Sequence, residues 1–548
     1  MTVEGFPGYR KEDAERYSKF RWWRGMTLGD MLDRAADVYP DKEAVVEGNA
    51  RWTYSQIREK ADKLAIALMK LGINKEDRVL LQIPNWSEFI YSYFALHKIG
   101  AIDVLLVPRH AQTEIGHLAR LTEATAWIVP ERYHKIEYVP MIDSILAANP
   151  GLKHIVMVRG KGNDRFHSLE KLIEGIDLNE DNLRQLAERR PEPTDVAHMG
   201  PTGGTTGLPK VAPRTHNDVI CNVEYKAYGW ERCLHDVCLP TTPLGHDMTY
   251  TLGFCGTIFT FGKMVLIDST QPEDMCKTVQ SEKVNCAVMA PALAARLVNF
   301  EGLKNYDMSS LTKAYVGGAP SSPDLIRAGY EKVGYKHLNG FGGTEGHSMM
   351  TRLDYDIDDL CNAAGKPTCP YEIYKIIDPN GEELPINRDG ELVCKGPGIF
   401  SGYFKADEEN SKAFTEDGFF MTGDMARIDD QGRIKITGRI KDIILRGGES
   451  ISPAEIEDLI AAHSDVEAVA VIGMPDEELG ERICAYVQLC AGAKLQAEDI
   501  HSFLKDKGAS LLQRPERIEF IDAIPLTKVG KADKNALRDD IKNRLGVA

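Results

Sequence analysis

Apolar residues between Tyr54 and Leu71 fall at Ile57, Ala61, Leu64, Ala65 and Leu68, the spacing of one helical face, and Gly72 closes the segment. Arg78–Ile83 is a short apolar run that predicts a buried strand. A second helical stretch runs to His97 and Lys98, with Gly100 as its stop, and Ile102–Val107 follows as the next strand. Val284–Ala290 and Lys313–Val316 repeat the strand pattern further on. Strands alternating with helices predict parallel sheets covered by helices.

The pattern changes after about residue 370. Asp378-Pro-Asn-Gly381 and Asp429-Asp-Gln-Gly432 are turn signals between short strand-like runs, which predicts a β-rich subdomain. A helix is expected over Pro453–His463, with Ser452 as N-cap, Pro453 in the first turn and Glu455 completing a capping box. Val466–Ile472 and Ile483–Leu489 read as strands, and Gln496–Lys507 and Lys534–Leu545 as helices. The fold expected is α/β: a large N-terminal domain, residues 1–440, of parallel helix-covered sheets plus the β-rich subdomain, then a small α+β domain, residues 441–548.

Composition narrows the class. The 548 residues, 43% hydrophobic and 27% charged, are those of a globular chain, which excludes disorder, collagen and a disulfide scaffold. At ~100–200 residues per domain, three or four domains or subdomains fit. Lys and Arg number 66 against 82 Asp and Glu, a net charge of −16. Sequence-independent nucleic-acid binding needs basic surface, so it is not expected; small anionic ligands held by a few donors remain open. No window is apolar enough for a membrane span, and the N-terminus lacks the apolar core of a secretory signal. The 11 cysteines, irregularly spaced and without a CxxC pair, read as reduced thiols of a cytoplasmic protein rather than a zinc site.

The strongest chemical signal is Thr202-Gly-Gly-Thr-Thr-Gly-Leu-Pro-Lys210. Glycines and threonines supply backbone N–H and hydroxyl donors that can wrap a polyphosphate, and Lys210 adds a cation. It is not a Walker A loop, because Pro209, not glycine, precedes the lysine. Four more motifs follow: Asn339-Gly-Phe-Gly-Gly-Thr-Glu345, Thr422-Gly-Asp424, Gly438-Arg-Ile-Lys-Asp442 and Pro525-Leu-Thr-Lys-Val-Gly-Lys531. In this order they resemble the ANL superfamily of adenylate-forming enzymes, whose phosphate loop runs roughly T-S-G-T-T-G-x-P-K; Gly203 stands for the serine.

The resemblance implies roles. ATP or AMP would be held by Thr202, Gly203, Gly204, Thr205, Thr206 and Lys210. The wall formed by Gly318, Ala319 and Pro320, the stretch Asn339, Gly340, Phe341 and Gly342, and Thr344 on the α-phosphate complete the nucleotide site. Glu345 would contact Mg²⁺. Asp424, in a tight turn, would accept the ribose hydroxyls, with Arg439 as a further ribose or phosphate contact. Lys531 is the implied catalytic cation, placed to lower the repulsion between an attacking carboxylate and the α-phosphate. Lys441 matches a hinge about which the mobile C-terminal domain rotates between two half-reactions, and Arg446-Gly447-Gly448-Glu449 would line a pantetheine tunnel.

Pro243-Leu-Gly-His246-Asp247 resembles the segment in which the family sets a gate over the acid. His246, Asp247, Leu252, Gly317 and Gly343 are the expected acid pocket. Phe6-Pro-Gly-Tyr9 and the stretch Gly207–His216 bring the chain nearest to the 2,3-dihydroxybenzoate–AMP ligase branch and to cyclic-carboxylate CoA ligases. Those hydroxybenzoate ligases carry Asn where Asp247 stands and a serine about where Leu252 stands, which argues against a dihydroxybenzoate. Asp247 is expected to face either a fixed donor of the protein or an amine or hydroxyl of the substrate. The implied reaction is ATP-driven formation of an acyl-adenylate from a cyclic or aromatic carboxylic acid, then transfer to coenzyme A, in a monomer or homodimer. The rival acceptor is a carrier-protein phosphopantetheine. A non-catalytic nucleotide-binding protein is disfavoured because both Lys531 and Glu345 are present.

Overall fold

The apolar runs become inner strands of two large sheets in the computed structural model, which describes residues 3–160, 162, 165–202, 208–447, 449–490, 492–527 and 531–546. One sheet orders the strands Val211–Thr215, Val196–Pro201, Ile102–Leu105, Arg78–Leu81, Ala126–Pro130, His154–Val158 and His167–Ser168. Its strands are parallel except that Val196–Pro201 and Val211–Thr215 form an antiparallel pair. The other sheet has a parallel centre built on Val237–Pro240, Cys286–Met289, Lys313–Gly317 and Lys336–Gly342, with antiparallel strands at both edges.

The expected helix forms over Tyr54–Lys70, started by a capping box in which Thr53 and Gln56 satisfy each other's backbone N–H groups. Ser87–Lys98 is buried on every side, because it lies in the core shared by both sheets, with Leu81 and Ile83 from one and Val45 and Met264 from the other. At such a position Phe94→Ala would cost about 3–5 kcal/mol.

The β-rich segment is a four-stranded antiparallel sheet of Ile373–Ile377, Gly390–Lys395, Phe420–Ile428 and Ile434–Arg439. Residues beyond it build a further sheet around the long hairpin of Val466–Asp476 and Gly480–Leu489. Helices cover both its faces: Ile456, Ile460, Ile500 and Leu504 pack on one, Leu537 and Ile541 on the other.

Two local expectations need correction. Ser452 does precede the helix Pro453–Ala461, but its hydroxyl donates to the Thr437 carbonyl, so the capping box with Glu455 does not form. Asp424 lies not in a tight turn but within the strand Phe420–Ile428, where Gly423 at φ +73° and a register shift after Met425 distort the ladder.

Candidate active site

The phosphate-loop motif joins the antiparallel strands Val196–Pro201 and Val211–Thr215, whose last pair is Pro201 with Val211. Thr202 N–H donates to the Lys210 carbonyl at 2.8 Å and closes the loop's neck. Gly203, Gly204, Thr205 and Thr206 lie outside the described residues. Lys210 Nζ stands 4.9 Å from the centroid of the Tyr403 ring, and the Tyr403 hydroxyl donates to Glu345 Oε1 at 2.8 Å. Tyr403 thus ties the loop cation to the expected magnesium ligand.

Thr344 and Glu345 sit in a turn that needs Gly346. Its φ is +100°, and a Cβ there would lie 2.0 Å from the Gly398 carbonyl oxygen. The buried Arg214 braces the same turn, donating to the Thr344 carbonyl at 3.0 Å and the Gly398 carbonyl at 2.8 Å, with Asp218 accepting from its Nε at 2.5 Å. Neither Arg214 nor Tyr403 was assigned a role from sequence. Arg214 stands in the Gly207–His216 stretch that carries the resemblance; Tyr403 has no motif around it.

Asp424 and Arg439 pair across adjacent strands, Arg439 Nε donating to Asp424 Oδ1 at 3.0 Å. Burial raises the Asp424 carboxyl above its ordinary range, and Arg439 opposes that rise. Lys531, from the far end of the chain, is half-buried within the field of Arg439, Asp424, Glu345 and Lys441. Burial first, and Arg439 next, push its ammonium down to about 8. Its backbone is pinned by the Thr527 N–H to Lys531 carbonyl bond, 2.7 Å, and by Lys531 N–H to Thr527 Oγ1, 3.1 Å. The structure therefore brings the motifs at residues 345, 424, 439 and 531 to one place.

His246 is half-buried, and burial followed by Lys531 lowers its pKa, so the ring is neutral. Two residues after Asp247 begins the π-helical turn Thr249–Cys255, a form that often marks functional sites. Of the two partners open to Asp247, a protein donor is found: Lys226 Nζ lies 3.7 Å from Asp247 Oδ2 and donates to Thr251 Oγ1 at 3.0 Å. Lys226 is buried and burial depresses its pKa, while Asp247 opposes that. Leu252 is buried with Val288, Tyr315 and Leu338, an apolar wall. A Cβ on Gly340 would overlap the Tyr315 hydroxyl at 1.7 Å, and one on Gly317 would meet Met248 Sδ at 3.2 Å, so both glycines admit close side-chain approach. Beside Gly343 lies the ring of His347, whose two nitrogens are buried without a partner among the described residues. Gly318, Ala319 and Pro320 are exposed at the end of Lys313–Gly317, while Asn339, Gly340, Phe341 and Gly342 end the neighbouring strand Lys336–Gly342, with Phe341 half-buried.

Lys441 lies in a single 3₁₀ turn, Ile440–Asp442, that leaves the strand Ile434–Arg439; Asp442 is held by Arg538 at 2.9 Å. Gly447 follows at φ +56°, and Gly448 is outside the described residues. Among the described residues no three His, Cys, Asp or Glu side chains converge as a metal cage. Glu345 keeps one carboxylate oxygen free of Tyr403, which suits a Mg²⁺ shared with nucleotide phosphates.

A phosphate-type loop, a carboxylate–arginine pair and a lysine brought from the C-terminus define the class of an adenylate-forming ligase. Residues 32–404 match the AMP-binding enzyme family and residues 455–531 the AMP-binding enzyme C-terminal domain; the chain belongs to this family, within the ANL superfamily of adenylate-forming enzymes. It is 35% identical to the 2,3-dihydroxybenzoate-AMP ligase of Bacillus subtilis (strain 168), covering 99% of each chain. It is 33% identical to a salicylyl-CoA synthase / salicylate adenylyltransferase of a Streptomyces species, again over 99% of each. Among solved structures it resembles apo MbtA of Mycobacterium smegmatis, with a TM-score of 0.74, 30% identity and 98% of each chain covered.

Proposed function

We propose that this protein is an AMP-forming carboxylate–CoA ligase for a cyclic or aromatic carboxylic acid. The observation that carries the reading is half-buried Lys531 in the field of Asp424 and Glu345, a cation where two anions must meet. Thr202, Lys210 and Thr344 would hold the phosphates, Glu345 would hold a Mg²⁺ that neutralises phosphate charge, and Asp424 would accept hydrogen bonds from the ribose hydroxyls with Arg439 beside it. The carboxylate attacks the α-phosphorus and pyrophosphate leaves. After rotation about Lys441, Gly447 borders the path of a pantetheine arm, whose thiol displaces AMP. His246 gates the acid. The Lys226 contact satisfies Asp247 within the protein and leaves Leu252 and Tyr315 to line an apolar ring site, which favours an acid without two ring hydroxyls. A catechol's unpaired hydroxyls would each cost roughly 1–3 kcal/mol there. The free, mostly buried cysteines suit a reducing cytoplasm.

The second reading, loading of a carrier-protein phosphopantetheine, is favoured by the near-full-length likeness to a protein named as an AMP ligase. The test compares kcat/KM for benzoate, cyclohexene carboxylate, 2-aminobenzoate and 2,3-dihydroxybenzoate with coenzyme A as acceptor. Turnover with benzoate or cyclohexene carboxylate above 2,3-dihydroxybenzoate is expected. If 2,3-dihydroxybenzoate is best and coenzyme A gives no turnover, the carrier-loading reading takes its place.

A further inference from the structure

A buried carboxylate flanked by two imidazoles lies beside the strand Val196–Pro201, and no step described above uses it. Asp103, on the strand Ile102–Leu105, is fully buried. Its Oδ2 is 2.7 Å from His198 Nδ1, on the neighbouring strand Val196–Pro201. His97 Nε2, from the helix Ser87–Lys98, stands 2.8 Å from Oδ1 without the alignment of a hydrogen bond. With Asp103 as acceptor, His198 carries its proton on Nδ1 and presents the lone pair of Nε2, which has no hydrogen-bond partner among the described residues.

The position of that lone pair is informative. A Cβ on Gly200 would fall 3.0 Å from His198 Nε2 and 2.3 Å from Thr344 Cγ2, so the imidazole and Thr344 share the space over a glycine. The His198 ring also packs on Tyr250, centroids 4.8 Å apart, and the Tyr250 N–H is bonded to the His246 carbonyl at 2.8 Å. His198 thus adjoins Thr344, on the expected α-phosphate side, and is joined to His246, on the expected acid side, through Tyr250. The carbon joining acyl group to phosphate must lie between those two sides.

We infer that His198, oriented by Asp103, is a further catalytic residue: the base that takes the proton from the attacking thiol in the second half-reaction. This rests on the acid–thiol ligase reading above. In the step the S–H bond breaks and its proton passes to His198 Nε2. The sulfur–acyl carbon bond forms, the acyl carbon–oxygen bond to phosphate breaks, and AMP leaves with that electron pair. Asp103 stabilises the imidazolium formed. The titratable groups in contact with His198 are Asp103 and Tyr250; His97 stands against Asp103, Tyr93 packs on His97 and shares a hydrogen bond with the Tyr250 hydroxyl, Cys255 donates to Tyr93, and His216 lies 5.5 Å from His97 between ring centroids. Burial keeps both tyrosines protonated and holds His97 and His216 neutral, and Asp103 stays ionised because His198 and His97 outweigh its burial.

The test uses the full chain. Wild type, His198→Gln and Asp103→Asn are assayed for acid-dependent ATP–pyrophosphate exchange with benzoate. Thioester formation is then followed separately from supplied benzoyl-adenylate and coenzyme A, from pH 6 to 9.5. We expect His198→Gln to retain exchange within about threefold but to lose at least ~10²-fold in thioester formation at pH 7, the usual scale for a positioned base. The deficit should shrink towards high pH as free thiolate replaces the base, and the Asp103→Asn pH limb should move to lower pH. The inference is overturned if His198→Gln leaves thioester formation unchanged, if its deficit does not vary with pH, or if exchange falls in parallel. If the wild type exchanges with none of the ring acids, the ligase reading itself has failed, a result distinct from any of these.

Discussion

The hydroxyl of Tyr403 donates a 2.8 Å hydrogen bond to Glu345 while its ring lies under the ammonium of Lys210, 4.9 Å from the centroid. One side chain therefore sets the distance between the loop cation and the carboxylate expected to meet the metal. Tyr403→Phe keeps the ring and removes the bond. A hydrogen bond to a charged group is worth about 1.5 kcal/mol here, roughly a tenfold change. The KM for MgATP should rise by about that factor, with the acid's KM little altered, as measured by pyrophosphate exchange at varied MgATP.

Lys531 lies in the electrostatic field of Asp424 and Glu345, on a segment beyond the Lys441 turn. Lys531→Ala should slow acyl-adenylate formation by at least ~10²–10³-fold, about 2.7–4 kcal/mol, by analogy with loss of one transition-state donor. Supplied acyl-adenylate should still react with coenzyme A. Equal loss in both half-reactions would remove the two-orientation picture.

The same lysine sets a pH limit. Its pKa is pushed down to about 8, so the charged fraction falls as pH rises through that value. The kcat/KM for adenylation, which reports the free enzyme, should decline above pH 8. Bound phosphates favour the cation and should carry the limb in kcat to higher pH. Lys531→Arg, always charged, should abolish the decline even where its geometry slows the reaction. A flat wild-type profile from pH 7 to 10 would contradict this.

Buried Lys226 and half-buried Asp247 form an ion pair at the expected acid pocket. Removing one partner leaves the other uncompensated, so Lys226→Met should lower unfolding stability by about 3–5 kcal/mol. Lys226→Met with Asp247→Leu should recover most of that loss. Denaturant unfolding of Lys226→Met, Asp247→Leu, the double variant and the wild type checks the cycle; additive losses would mean that the two charges do not interact.

The nucleotide motifs were legible because each is local: glycines, hydroxyls and a charge within a few positions. The parallel sheets were legible from apolar runs broken by helical spacing. What sequence spacing could not show are contacts between distant positions. Arg214 meets Thr344 across 130 residues and His198 meets Asp103 across 95. Lys226 meets Asp247 only because a helix and a π-helical turn pack together. Thr422-Gly-Asp424 suggests a tight turn, yet neighbouring strands capture the segment and use Gly423, at φ +73°, as a kink. Ser452 has the capping signature, but the Thr437 carbonyl competes for its hydroxyl.

The proposed reaction joins a ring carboxylate to coenzyme A through an acyl-adenylate at one site. The most direct measurement follows AMP, pyrophosphate and acyl-CoA together in one reaction of enzyme, MgATP and benzoate or cyclohexene carboxylate, with and without coenzyme A. The account predicts equal amounts of AMP, pyrophosphate and acyl-CoA over many turnovers with coenzyme A, and no more than about one turnover of pyrophosphate without it. Sustained acid-dependent pyrophosphate exchange with no acyl-CoA formed would contradict it.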